Sequence, residues 1–359
     1  MGCRWWAALA AVAAALRGAP GRPRGPRPAA ATEAAAEAAA MEADMDAQLA
    51  AMPPEARLWL QAELERDVVR RGEFEAALMA PPPFAAVARA LGLPGGRHAP
   101  LAPPPDGVAV ALAADGVARV DSALSKGSAL RLRDFCIAER QDAAAAVGAG
   151  EPLGRRFSER VLVRLNRCDL LLPLDGPGGD VVLSALRELL AHGTTLGDSL
   201  DSVVGAGAML YECAALISDK GAPRQVAHPD VSWSEVPLTF TVFVALQDVD
   251  AKLGPTLFLP GTHVEAAHAA FYGGAEVKDS LLREAATRTA TLRAGDASIF
   301  DSRTLHCGTR NDGGPRVLFY FTFRRGDAPR TDEYRSLRPQ YRRAESLTLS
   351  DLRAPHDSL

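Results

Sequence analysis

Two short runs constrain this chain more than any other feature: "LTFTVFVALQ" (238–247) and "RVLFYFTFRR" (316–325). In the first, Leu238, Phe240, Val242, Val244 and Leu246 alternate with Thr239, Thr241, Phe243 and Gln247. In the second, Val317, Phe319, Phe321 and Phe323 alternate with Arg316, Leu318, Tyr320 and Thr322. Successive side chains on a β-strand point to opposite faces, so this period of two predicts strands with two distinct faces. Strand-like segments surround them at 208–217, 224–231, 254–260, 288–293, 296–300 and 303–309. Many short strands with turn signals between them predict an all-β sandwich or barrel. Arg316 falls on the interior of such a sheet, where an arginine is rare unless something acidic meets it.

The chemistry begins at "RQVAHPDVSW" (224–233). On a strand, His228 and Asp230 share a face with Cα atoms roughly 7 Å apart, close enough to converge on one metal ion. Taken alone, His-Pro-Asp reads as easily as a surface turn. "SIFDSRTLHCGTRNDGGPRVLFYFTF" adds His306 and, ten residues later, Arg316. The "NDGG" turn predicts a hairpin that brings the two onto neighbouring strands. Two imidazoles and one carboxylate with open positions form the facial triad of non-haem Fe(II) oxygenases. The open face takes a bidentate 2-oxo acid and O2, and the Arg316 fork suits the distal carboxylate of that acid.

With these residues in place, the region 107–325 resembles the phytanoyl-CoA dioxygenase family of Fe(II)/2-oxoglutarate oxygenases. The motifs that carry the resemblance are "DGVARVDSALS", "QVAHPD", "LTFTVFVALQDVD", "GPTLFLPGTH" and "LHCGTRNDGGPR". The resemblance implies a mainly β fold with packed helices: a double-stranded β-helix, the cupin-like jelly roll of two facing sheets. It implies iron at His228, Asp230 and His306, with no catalytic side chain beyond these ligands, and 2-oxoglutarate on Arg316. Gln225, Phe243 and Thr241 are pocket candidates by the same carry-over, each also readable as plain packing. His263 reads as structural, Cys307 as core, and His98, His192 and His356 receive no role. The expected reaction hydroxylates a small-molecule or acyl substrate using O2, with release of succinate and CO2. The alternative is a catalytically inactive jelly-roll module that binds metal or ligand.

The remainder bounds the reading. A net charge of −4 leaves no electrostatic footprint for nucleic acid. The five cysteines share no CxxC spacing and read as free thiols. An apolar run from Trp5 to Leu16 is too short to span a membrane, which takes ~20 residues. It precedes Arg17, Arg22, Arg24 and Arg27, with no acid before Glu33, so residues 1–40 read as a targeting segment for a plastid or the endoplasmic reticulum. Residues 41–106 read as a helical extension and Pro-rich linker, with an apolar stripe of Leu58, Leu60, Leu64 and Val68. Residues 326–359 read as a polar tail.

Overall fold

The computed structural model describes residues 98–158, 165–326 and 347–354. The chain divides into two units at Met79 and Ala80, and every described residue belongs to the second. The targeting segment, the apolar stripe and most of the linker therefore lie outside the described residues. Among the described residues, no helix is long and apolar enough to cross a membrane.

The unit is mainly β, with helices packed on it. Strands β2 (Val117–Val120), β3 (Arg167–Leu171), β4 (Met209–Ser218), β5 (Thr239–Ala245), β8 (Ala297–Asp301) and β10 (Arg316–Arg324) form a six-stranded antiparallel sheet in the order β2-β8-β5-β10-β4-β3. Strands β1 (His98–Pro100), β6 (Thr256–Phe258), β7 (Thr287–Thr289) and β9 (His306–Gly308) form a second sheet in the order β1-β7-β6-β9.

The two alternating runs explain how these sheets are used. Phe240, Val242, Val244, Val317, Phe319, Phe321 and Phe323 all point to one side of the six-stranded sheet. There they pack in one core with Leu112 of helix α1 (Val108–Asp115), Leu132 of α2 (Lys126–Gly148), Leu186 of α3 (Gly176–Leu190) and Leu200 of α4 (Thr195–Val204). The opposite side carries Phe243, Phe300, Leu318 and Tyr320, which pack on Phe258 and Leu292 from the second sheet and its approach. Each phenylalanine fully withdrawn from water contributes about 1.5–3 kcal/mol, so both faces are held by burial and not by strand pairing alone. Helices α5 (Glu265–Phe271) and α6 (Ala275–Glu284) pack with Leu259 and Leu305 in a smaller cluster around Phe271 and Leu281. Two sheets, the larger carrying helices on one face, give the mainly β architecture with packed helices expected from the sequence. Ser125 caps α2, accepting from Ser128 N.

Three expectations are corrected. His306 and Arg316 do not sit on a hairpin: β9 belongs to the second sheet and β10 to the first. The intervening turn crosses between sheets because Asn311, fully buried, ties it to the end of β4. Its Nδ2 donates to Ser218 O at 2.8 Å and Gly314 O at 3.0 Å, and its Oδ1 accepts from Gly313 N. The stretch assigned to the linker supplies an edge strand, since β1 pairs in parallel with β7. The tail assigned as polar contains helix α7 (Leu349–Arg353), which buries Leu349 and Leu352 in the helix-side core behind a Thr348–Asp351 capping box.

Candidate metal centre

The segment expected as a strand at 224–231 is reduced to a single bridge. His228 pairs with His306, N to O in both directions at 3.0 and 2.9 Å, at the free edge of β9. Two residues further on the chain leaves that edge, and Asp230 N and Val231 N both donate to Ser302 O, just beyond the end of β8. The His-x-Asp spacing thus bridges the two sheets. It holds His228 beside His306 and swings Asp230 over both.

The ligand atoms of His228, Asp230 and His306 lie within 4.8 Å of one another. Asp230 Oδ1 is 3.5 Å from His306 Nε2 and 3.9 Å from His228 Nε2. Both imidazoles use Nδ1 on the backbone: His228 with Val226 O at 2.9 Å, His306 with Thr304 O at 3.0 Å. A carbonyl only accepts, so Nδ1 carries the proton and each Nε2 lone pair faces the shared point. Burial pushes both histidines down to about 4, the first with help from the other ring, so they are neutral near pH 7. Removal from bulk water raises Asp230 to about 6, opposed by His228. A tautomer fixed by backbone carbonyls, paired with one carboxylate, is a donor set that fits a divalent first-row metal.

These shifts give a prediction. Protons compete with metal at Asp230 once the pH falls below about 6, and at the histidines only near 4. Metal affinity is expected to fall by about tenfold per pH unit below pH 6, and more steeply below 4. Calorimetric titration with Fe(II), or with Mn(II) as a stable substitute, over that range checks it. A flat profile through pH 6 would remove Asp230 from the ligand set.

A cavity of about 330 Å³ opens beside the three side chains. Gln225, Thr241 and Phe243, the pocket candidates from the sequence, all line it. Phe243 stands edge-on to His306, with ring centres 6.3 Å apart. Thr241 Oγ1 contacts Ser302 Oγ and Thr322 Oγ1. Gln225 also holds the backbone, since its Oε1 accepts from Gly308 N at 2.8 Å and so pins the strand that carries His306. Gln225→Leu would leave that buried N–H unpaired, at a cost of about 1–3 kcal/mol. The variant is expected to melt several degrees lower and to bind metal less tightly; an unchanged melting temperature would show that the pin is dispensable.

Arg316 is completely buried on the inter-sheet side of β10, as the alternation requires, but it does not line the cavity. Its Nη1 donates to Gly254 O, two residues before Thr256, which does line it. Nε and Nη2 find no hydrogen-bond partner among the described residues. Burial, reinforced by the neighbouring Arg167, pushes its pKa down to about 9, so the guanidinium stays charged near neutrality. His263 lies elsewhere, with Nε2 on Ala113 O at 3.3 Å, and Cys307 is buried, as expected of structural and core residues.

Sequence reasoning misses Tyr211, Glu212, Thr256, Ser302, Tyr320 and Thr322 as cavity residues. Tyr320 and Thr322 fall on the correct face of the "RVLFYFTFRR" alternation; nothing in the sequence marks which part of that face meets open space. Tyr320 donates to Asp169 Oδ2 at 2.8 Å, and burial pushes that carboxyl up to about 6.

Residues 185–316 match the model of the phytanoyl-CoA dioxygenase (PhyH) family, and the chain is PhyH-like over that segment. The match takes in His228, Asp230, His306 and Arg316. No curated protein sequence matches the chain. Among solved structures, the non-heme alpha ketoglutarate dependent carbocyclase SnoK from nogalamycin biosynthesis is 17% identical over 67% of this chain and 90% of its own, with a TM-score of 0.46. AviO1 from Streptomyces viridochromogenes Tue57 is 19% identical over 62% of this chain and 96% of its own, with a TM-score of 0.45. The epimerase SnoN, solved with Fe3+, alpha ketoglutarate and nogalamycin RO, is 19% identical over 63% of this chain and 86% of its own, with a TM-score of 0.44.

Proposed function

We propose that this chain is an Fe(II)- and 2-oxoglutarate-dependent dioxygenase that hydroxylates a small molecule. The observation that carries the reading is the convergence of two Nε2 lone pairs and one carboxylate beside a cavity, within a PhyH-like segment. His228, Asp230 and His306 hold the iron. When bound, it supplies the activation of O2: one oxygen atom ends in succinate as 2-oxoglutarate loses CO2, and the other ends in the substrate hydroxyl.

The chain's own residues prepare that chemistry. Val226 O and Thr304 O fix the imidazole tautomers. Arg316 receives the distal carboxylate of 2-oxoglutarate, which supplies the acceptor its buried Nε and Nη2 require. Phe243 and Thr241 wall the chamber, and Gln225 keeps β9 in register. The test is anaerobic titration of the purified protein with Fe(II) and 2-oxoglutarate, followed by admission of air and measurement of succinate. Succinate that depends on both additions supports the reading. Metal binding with no effect of 2-oxoglutarate would leave a metal-binding jelly-roll module instead.

A further inference from the structure

Ser302 to Leu305 join the end of β8 to the start of β9, and their backbone handles two of the three metal ligands. Ser302 O accepts from Asp230 N at 2.9 Å and from Val231 N at 3.2 Å, and Thr304 O meets His306 Nδ1 at 3.0 Å. Between those two carbonyls stands Arg303, which does not line the cavity and is 6% exposed. Each nitrogen of its guanidinium has a partner. Nε donates to both carboxylate oxygens of Asp301, at 3.0 and 3.1 Å, and Nη2 donates to Asp301 Oδ2 at 2.6 Å. Nη1 donates to Ser234 O. Asp301, buried at the end of β8, also accepts from Arg303 N at 2.9 Å.

The bond to Ser234 is the informative one. Residues 232–237 run over the surface outside any helix or strand, with Val236 48% exposed. Among the described residues, Arg303 to Ser234 O is the one hydrogen bond that ties this stretch to another part of the chain. The other bond here, Ser234 Oγ to Val236 O at 2.8 Å, is internal. Ser234 lies four residues beyond Asp230, so the loop carrying the metal's carboxylate is fastened at Ser302 O and again at Arg303. The second fastening matters because the Asp230 carboxylate has no hydrogen bond of its own among the described residues. It faces the two imidazoles, at 3.5 and 3.9 Å. Ligating carboxylates are ordinarily oriented by hydrogen bonds from outside the ligand set. Here the backbone on either side of Asp230 has to do it. A buried ion pair seldom stabilises a fold more than apolar side chains of the same volume, so stability alone does not account for Arg303 and Asp301. A planar guanidinium can hold Asp301 with one edge and reach Ser234 O with the other, which a lysine cannot.

We propose that Arg303, braced by Asp301, is a positioning residue for the metal centre: it fixes the loop beyond Asp230 and so holds that carboxylate over the two Nε2 atoms. This rests on the metal-centre reading and adds to it a residue that is not itself a ligand. The test is Ni(II) binding to the metal-free full chain, measured by calorimetry. Four proteins form a cycle: the parent, Arg303→Met/Asp301→Asn, Asp230→Ala, and all three changes together. The first pair of changes leaves no buried charge behind, and the asparagine keeps an acceptor for the backbone N–H of position 303. With Asp230 present, the pair is expected to weaken Ni(II) binding about tenfold, as loss of an outer partner of a ligand does. In the Asp230→Ala background the loss is expected to be less than about twofold, because a residue acting through Asp230 has nothing left to act on. Arg303→Lys keeps the charge on Asp301 without the second edge, so its loss should lie between these. It takes the place of the paired changes in the cycle if they prevent folding. Amide exchange at 231–236 in the metal-free protein should quicken in either variant. Equal weakening with and without Asp230 would make the pair a support of the sheet and overturn the proposal. So would unchanged Ni(II) affinity in the presence of Asp230, or unchanged exchange in the loop. Failure of the metal-centre reading itself looks different: Asp230→Ala alone would then bind Ni(II) as the parent does, and the proposal would fall with it.

Discussion

Asp230→Ala is expected to abolish succinate formation while leaving the fold intact. The two halves of that expectation have separate physical grounds. Asp230 supplies the one carboxylate, among the described residues, within reach of both Nε2 atoms, at 3.5 and 3.9 Å. Losing even an outer partner of a metal ligand commonly costs 10–100-fold in affinity or activity, so losing the ligand itself should cost more than about a hundredfold. The fold does not depend on the carboxylate. Asp230 sits in a loop with its side chain a third exposed, and the bond that ties the loop down comes from its backbone N–H to Ser302 O, which alanine retains. Changes at such a position usually stay within about 0.5 kcal/mol. The measurements are succinate release with saturating Fe(II) and 2-oxoglutarate, and thermal melting of the metal-free protein. Turnover at the parent rate would remove Asp230 from the metal centre. A large drop in melting temperature would mean that the variant tests stability and not ligation.

Much of this site is legible in the sequence because strand alternation is a local code. The even–odd split of 316–323 and of 239–246 places Thr241, Phe243 and Arg316 on the inter-sheet side without any tertiary information, and the structure puts them there. His228-x-Asp230 is legible as a spacing but not as a strand, since only His228 keeps a bridge to His306 and Asp230 lies in the loop beyond it. What stays hidden is anything set by register between distant strands. Ten residues joined by "NDGG" look like a hairpin, yet the buried Asn311 anchors the turn to Ser218, nearly a hundred residues away, and sends the chain to the other sheet. Glu212 is hidden by a similar cause. Its route to the cavity passes through an extra residue at Tyr211, opposite a strand more than a hundred residues later. No local pattern encodes such an insertion. The short helices α5 and α6 escape notice because their apolar positions are few and short.

Arg316→Met is expected to cost the protein its co-substrate and yet make the metal-free, ligand-free form more stable. The guanidinium is fully buried, makes one bond to Gly254 O, and has two nitrogens without a hydrogen-bond partner among the described residues. Its lowered pKa reports the same tension, since burial and the nearby Arg167 both disfavour its charge. Leaving a buried charge uncompensated costs several kcal/mol, and an apolar side chain of similar length removes that cost at the loss of one hydrogen bond. A net gain of about 1 kcal/mol would raise the melting temperature by roughly 2–4 °C in a domain of this size. Arginine at this position then makes sense only if something anionic completes it. The distal carboxylate of 2-oxoglutarate matches the planar fork, and its loss is expected to raise KM for 2-oxoglutarate by about a hundredfold. Arg316→Lys keeps the charge without the fork, so its KM should fall between parent and Met variant. The decisive comparison is melting with and without 2-oxoglutarate. The parent should gain stability from the ligand by mass action, and the Met variant should not. A Met variant that melts far below the parent in the absence of ligand would show that Arg316 already has its counter-charge within the protein. The co-substrate carboxylate would then have to bind elsewhere.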